Sequence, residues 1–388
     1  MLVLLRSVFN IIWLLWNSML INVIQVSTYY LIRPFDTSLY RIIMGYVISF
    51  SITLFLTACS STIQALWIEI ASSCFPKTNL TLCGDIPTDP SRPIIILCNH
   101  QIDSDWWFLF QMARSAKAAG NIKIVLKEQL KYVPIVGWGM RWFEFLFLRR
   151  RLDHDLQHIR DYMQSLIHDE FPFWLVFFPE GTTIHQEYVE KSQLFAQKQG
   201  RPKFEKVLLP RVSGLQVILD AVDAAEPDIY DMTIAFPSYS GEIPTTEMGY
   251  TRKCDTEIPS MKTLLARRSS RKPIWIHGEK FEYQYVKKDL QNFLDTRWKA
   301  KEELLQHFAE HRKFPNSDSA RNVVLPASKS IVLKLWIGFF CLCVVLPFVT
   351  LSFLPLYTFW VIYCFIYSIF DRTTSFLWPY LLQLIETK

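Results

Sequence analysis

Residues 93–105 read PIIILCNHQIDSD, and this stretch decides the fold. Its first six residues form an uninterrupted apolar run ending at Cys98. A run this short, rich in β-branched residues and bounded by polar ones, predicts a strand buried on both faces. A polar, acidic turn follows, and then WWFLFQM at 106–112 predicts a helix. Similar apolar runs recur at 122–126, 173–178 and 232–236, and residues 152–167 carry a helical pattern between them. Strands alternating with helices predict an α/β domain whose mostly parallel sheet is flanked by helices. In open sheets of that class, ligand and catalytic groups gather at the carboxyl ends of the strands. Residues 99–105 lie at such an end.

Working outward, the apolar residues concentrate at the two ends of the 388-residue chain. Residues 8–32 are long enough to cross a hydrocarbon core of ~30 Å. Asn10, Asn17, Asn22 and Gln25 interrupt them, so a spanning and a partly embedded helix are both open. A polar loop at 33–41 leads to a second apolar stretch at 42–66, and the two predict a helical hairpin anchor. Residues 335–370 are almost wholly apolar, broken by Pro347 and Pro355, and predict a second hairpin. The expected organisation is an N-terminal membrane anchor (1–70), a central α/β domain (71–325) and a C-terminal membrane hairpin and tail (326–388). Residues 76–93 and 315–327 read as linkers. Residues 297–308 read as an amphipathic helix that closes the domain or lies on the membrane.

The net charge of +5, from 41 basic and 36 acidic residues, is too weak for nucleic acid, and no base-reading motif or zinc-finger spacing is present. It suits anionic headgroups or phosphorylated substrates. None of the eight cysteines forms a C-x-x-C pair, which fits a reducing compartment. A disulfide between Cys74 and Cys83 is disfavoured by this usage. Asn79-Leu80-Thr81 is a glycosylation sequon, accidental if the domain faces the cytosol. His154 and His158 lack the Glu of a zinc motif, and no metal is expected. The absence of G-x-S-x-G excludes a serine-hydrolase elbow. Cys98 reads as core rather than nucleophile.

On an ideal helix His100 and Asp105 would point about 140° apart. They meet only if His100 lies in the turn before the helix. Asp105 can then accept a proton from one imidazole nitrogen and leave the other basic. Spacing alone supports equally a histidine bonded to backbone at a turn, with Asp103 and Asp105 as helix-start charges. Asp103 or Ser104 is the expected helix cap.

The residues Asn99, His100 and Asp105 match N-H-x-x-x-x-D, and residues 178–182 read F-P-E-G-T. In this order, each after a strand, the two blocks resemble the glycerolipid acyltransferase family, which acylates lysophospholipids. The resemblance implies His100 as general base and Asp105 as its orienting partner. It also implies substrate contacts from Asn99, Lys127, Arg150, Glu180, Gly181, Thr182 and Arg211. Glu180 would orient polar substrate or neighbouring loops, and Gly181 would let a phosphate approach the backbone. Lys127, Arg150 and Arg211 would hold the phosphates of lysolipid or CoA. Gly137 also matches the family pattern, whereas Thr183 stands where many members carry Arg. Residues 210–214 and 228–235 resemble the branch whose members act on lysophosphatidic acid, lysophosphatidylinositol and lysocardiolipin. The resemblance further implies acyl-CoA as co-substrate without another cofactor. The acceptor is a lysophospholipid in the bilayer, lysophosphatidylinositol before lysophosphatidic acid. The implied location is the endoplasmic reticulum membrane, with the lipid droplet second and the catalytic domain in the cytosol. A non-catalytic lipid-binding protein and a transacylase are the competing readings.

Overall fold

The structure, a computed structural model, describes residues 2–44, 67–68, 71–72, 75, 78–149, 151–237, 239–244, 258–265 and 273–325. All of them belong to one compact unit, Met1–Ser328. The predicted C-terminal hairpin, nearly all of the second N-terminal stretch, Cys74 and Arg150 lie outside the described residues.

Eight strands are β1 (Thr78–Gly84), β2 (Ile94–Cys98), β3 (Ile122–Lys127), β4 (Leu146–Leu148), β5 (Trp174–Phe177), β6 (Asp228–Ala235), β7 (Ile274–Phe281) and β8 (Arg321–Leu325). The helices are α1 (Leu2–Leu31), α2 (Thr37–Met44), α3 (Asp105–Ser115), α4 (Val136–Trp142), α5 (Leu152–His168), α6 (Gln186–Gln199), α7 (Ser213–Ala221), α8 (Met261–Leu265), α9 (Tyr283–Lys288) and α10 (Leu290–His311). The strands form one sheet in the order β4-β3-β5-β2-β6-β7-β1-β8. Every neighbouring pair is parallel except β6–β7 and β1–β8. The expected α/β sheet is therefore present, with antiparallel pairings in its β1/β6/β7/β8 half.

β2 is inner, hydrogen-bonded to β5 on one side and β6 on the other. All five of its residues are buried, which is why it reads as a continuous apolar run. Both stretches read as linkers contain strands instead. β1 lies within 76–93 and β8 within 315–327, and the two pair with each other. In β1 only Leu80, Leu82 and Cys83 supply apolar burial. Thr81 is buried as well, donating from Oγ1 to Asn322 Oδ1 at 2.8 Å. Polar groups satisfied across strands hide such a strand from a hydropathy reading. Asn79 of the sequon pairs with Val324 inside the sheet. Cys83 is a free, buried thiol that burial pushes up to about 12.

The amphipathic stretch 297–308 is part of α10, which packs on β6. Trp298, Leu305 and Phe308 are buried, and Lys301 pairs with Asp231 of β6 at 2.6 Å. It closes the domain.

Among the described residues one helical stretch, Ile11–Leu31, is long and apolar enough to cross a membrane, with a mean hydropathy of 1.4. Two polar residues that interrupt it face the domain. Asn22 Nδ2 donates to Ile135 O at 2.8 Å, and Gln25 Nε2 donates to Gly139 O at 3.3 Å, docking α1 on α4. The supposed polar loop at 33–41 runs into α2. There Arg41, only 3% exposed, pairs with Glu144 at 2.7 Å and with Asp169. Removing one member of such a buried network leaves the others uncompensated, so these contacts tie the N-terminal helices to the domain.

Candidate active site

β2 ends at Cys98, and the next six residues turn before α3 begins at Asp105. His100 therefore sits outside the helix, and the angular conflict of an all-helical reading disappears. Its Nδ1 lies 3.0 Å from Asp105 Oδ2. That same oxygen accepts from the amides of Gln101 at 2.7 Å and Ile102 at 2.9 Å. Asp105 is fully buried, whereas the His100 side chain is 19% exposed. A buried carboxylate beside Nδ1 places the ring proton there and leaves Nε2 as the lone-pair nitrogen. Ser104 is the N-cap residue of α3, as expected, but its side chain makes no capping hydrogen bond. Ser104 Oγ donates to Pro259 O at 2.5 Å, and Asp103 Oδ1 accepts from the Met261 amide at 3.1 Å.

The loop after β5 meets this turn at three points. Phe178 stacks on the His100 ring at 4.3 Å between centroids. The Ile184 amide donates to His100 O at 3.0 Å. The His100 amide donates to Glu180 Oε1 at 3.4 Å. The loop after β5 thus holds the ring, the carbonyl and the amide of the histidine, the first and last through the F-P-E-G-T block. Glu180 is 2% exposed. Burial pushes its carboxyl up to about 8, against the pull of N–H donors from Leu208, Trp298 and His100 and the charge of Lys301.

Gly181 adopts φ +76°, a conformation costly for any residue with a Cβ. Its amide turns back to Phe178 O at 2.9 Å and so is not open to a ligand. The amides of Thr182 and Thr183 donate to no described residue. The side chain of Arg211 lies over Gly181, with Nε 3.4 Å from where a Cβ would stand. Arg211 is exposed and makes no ion pair among the described residues. Its backbone amide donates to Pro179 O at 2.9 Å.

A cavity of about 440 Å³ starts at His100, Phe178 and Gly181–Thr183. It runs between β3, α3 and α4 to the wall formed by Ile21, Asn22 and Gln25 of α1, and its lining is mostly apolar. Lys127 and Thr182 line it. Gly137 permits the turn into α4, because a Cβ there would fall 2.1 Å from Leu130 O. Asn99 is placed differently. It is fully buried, and its amide exchanges hydrogen bonds with Ile234 N and O at 2.8 and 3.1 Å. Its side chain holds β2 to β6. The inward polar face of α1 escaped the sequence reading, where the same residues counted only as interruptions of a span. Trp298, which donates to Glu180 Oε1 at 3.2 Å, was legible only as part of an apolar stripe.

The sequence model of the Acyltransferase family matches residues 79–235. Over that stretch the chain carries an acyltransferase-family domain. The matched stretch of this acyltransferase begins in β1 and ends with β6, so it holds both loops around His100 but not α10. Among its relatives is an uncharacterized acyltransferase of Schizosaccharomyces pombe, 27% identical over 65% of this chain and 70% of that protein. A probable 1-acyl-sn-glycerol-3-phosphate acyltransferase of Arabidopsis thaliana is 27% identical over 68% of this chain and 66% of its own. Lysocardiolipin acyltransferase 1 of Gallus gallus is 29% identical over 73% and 71%. Two of these three relatives carry the names of glycerolipid acyltransferases.

Proposed function

We propose that this protein is an acyl-CoA-dependent lysophospholipid acyltransferase that esterifies a free glycerol hydroxyl. The observation carrying the proposal is the His100–Asp105 pair opening onto a mostly apolar cavity. His100 Nε2 takes the proton of the acceptor hydroxyl as its oxygen attacks the thioester carbonyl. The tetrahedral intermediate collapses, the C–S bond breaks, and the proton passes to the departing CoA thiolate. Asp105 holds the Nδ1–H tautomer throughout. The Thr182 and Thr183 amides, following the positive-φ turn at Gly181, suit the oxyanion. The cavity suits an acyl chain, and Arg211 and Lys127 suit phosphate oxygens, Arg by its two-pronged fork. Transfer is direct. Cys98 is fully buried in β2 with its thiol pushed well above the ordinary value by burial, so it is no acyl carrier.

Lysophosphatidylinositol is the acceptor favoured by the branch resemblance. Lysophosphatidic acid is equally consistent, and the names of the plant relatives support it. The endoplasmic reticulum membrane is the proposed site of action, with the lipid droplet second and the catalytic domain in the cytosol.

The test is transfer from labelled acyl-CoA to a panel of lysophospholipids by wild type and His100→Ala. General-base loss predicts a fall of roughly 10²–10⁴-fold, and the labelled product names the acceptor. Equal activity of the two proteins refutes the mechanism. Transfer that persists without acyl-CoA identifies a transacylase instead, and absence of any transfer leaves a lipid-binding protein.

A further inference from the structure

α10 lies beyond residues 79–235, the stretch the family match covers, yet it reaches the site from within the core. Trp298 is fully buried, and its indole Nε1–H donates to Glu180 Oε1 at 3.2 Å. The same oxygen accepts the His100 amide. The helix is clamped in place on either side of Trp298. Arg297 pairs with Asp231 Oδ2 at 2.7 Å, and Lys301, with no exposed side-chain surface, pairs with Asp231 Oδ1 at 2.6 Å. Lys301 also donates to Met232 O at 2.5 Å.

A buried indole does not need this partner in order to pack. Trp107 and Trp174 are equally buried, and their Nε1 atoms have no hydrogen-bond partner among the described residues. Only Trp298 of these three directs its donor at the acid of the F-P-E-G-T block.

We propose that Trp298 is a positioning residue of the acyl-transfer reaction: its indole N–H holds Glu180, and Glu180 holds the backbone of His100 over the cavity. This rests on the acyl-transfer function proposed above. The chain of contacts runs from α10 through the β5–α6 loop to the turn after β2, so three distant segments set the position of one imidazole.

The experiment uses the full chain purified with lipid and compares kcat and KM for wild type, Trp298→Phe, Glu180→Ala and the double variant. Phenylalanine keeps the ring and removes the donor. Loss of a hydrogen bond to an acid predicts a fall in kcat of roughly tenfold for Trp298→Phe, with KM for both substrates nearly unchanged. In the Glu180→Ala background the same change should alter kcat by less than about twofold, because the two residues act as one unit. A merely structural role would lower the folded fraction in both backgrounds and leave kcat per folded enzyme intact. Wild-type kcat in Trp298→Phe, or an undiminished loss in the Glu180→Ala background, overturns the proposal.

If Trp298→Phe fails to fold, the wild type labelled with ¹⁵N-tryptophan decides. Among the 13 tryptophans, the Trp298 indole resonance should move with pH as Glu180 titrates, and should stop moving in Glu180→Gln. Lys301, Tyr239, Cys98 and the neighbouring His100 are the other titratable groups facing Glu180. A resonance unmoved by pH in wild type, or moving alike in both proteins, overturns the proposal. A wild type that acylates no lysolipid refutes the functional reading and this role with it. An active wild type beside an unaffected Trp298→Phe refutes this role alone.

Discussion

Asp105 and Glu180 are both buried acids, and both bond to His100, but they take hold of different parts of it. Asp105 is five residues on in the same chain segment and reaches the ring nitrogen, while its Oδ2 also gathers the Gln101 and Ile102 amides. Glu180 comes from another strand end and reaches only the His100 amide, sharing that oxygen with Trp298. One acid therefore acts on the proton inventory of the imidazole, and the other acts on where the imidazole stands. Burial is common to both, so burial alone does not tell which acid touches the chemistry. The atom contacted does.

The difference breaks most readily at Asp105. Asp105→Asn retains shape and an acceptor oxygen but not the charge facing Nδ1, and is expected to lower kcat on the order of 10³-fold, by analogy with the orienting acid of a catalytic triad. Steady-state kinetics on correctly folded protein checks this, and a loss under about tenfold would place Asp105 with Glu180 as a scaffold. Glu180→Gln keeps its acceptor oxygen and should cost only about tenfold in kcat. A loss as large as that of Asp105→Asn would erase the distinction.

Gly181→Ala comes next. The space above it is tolerable, since Arg211 lies at ordinary contact distance, so the cost is the φ of +76°. Destabilisation of ~1 kcal/mol is expected from placing alanine there. A melting curve measures it, together with a few-fold rise in KM for the lysolipid from displacing the neighbouring turn.

The last effect is a slope of stability against pH. Burial holds Glu180 up to about 8 in the folded protein against an ordinary value of 4.5. The folded state keeps a proton that the unfolded chain releases, so stability from this group is fully present below pH 4.5, falls as pH rises and levels off above 8. Glu180→Gln removes that slope. Melting temperatures of the two proteins should diverge in slope between these limits and run parallel above them.

Much of the sheet was legible in advance. β2 and β5 are inner strands buried throughout, and burial of that kind writes itself as an unbroken apolar run. β1 and β8 were not legible, because Thr81 and Asn322 satisfy each other across the strands and the apolar positions are few. The two site blocks were readable as neighbours in function from their resemblance to a family. That Phe178 stacks on His100, and that Ile184 and Glu180 capture its backbone, follows from β2 and β5 lying side by side in parallel. Asn99 shows the limit of carrying a role over from a motif, since a tertiary partner, Ile234, occupies its amide.

By itself the sequence determined the α/β class and the strand that ends at Cys98, and it left the pairing of His100 with Asp105 as one of two readings of the turn that follows. These rest on local physics: apolar periodicity, turn composition and the short reach of a side chain within one loop. The tertiary structure alone decided that Asn22 and Gln25 wall a cavity and that the polar 315–327 stretch is a strand. It alone put Trp298 against Glu180, 118 residues away. Each of those depends on what the fold brings opposite a residue, and a polar group reads as exposed until the partner that satisfies it is in place.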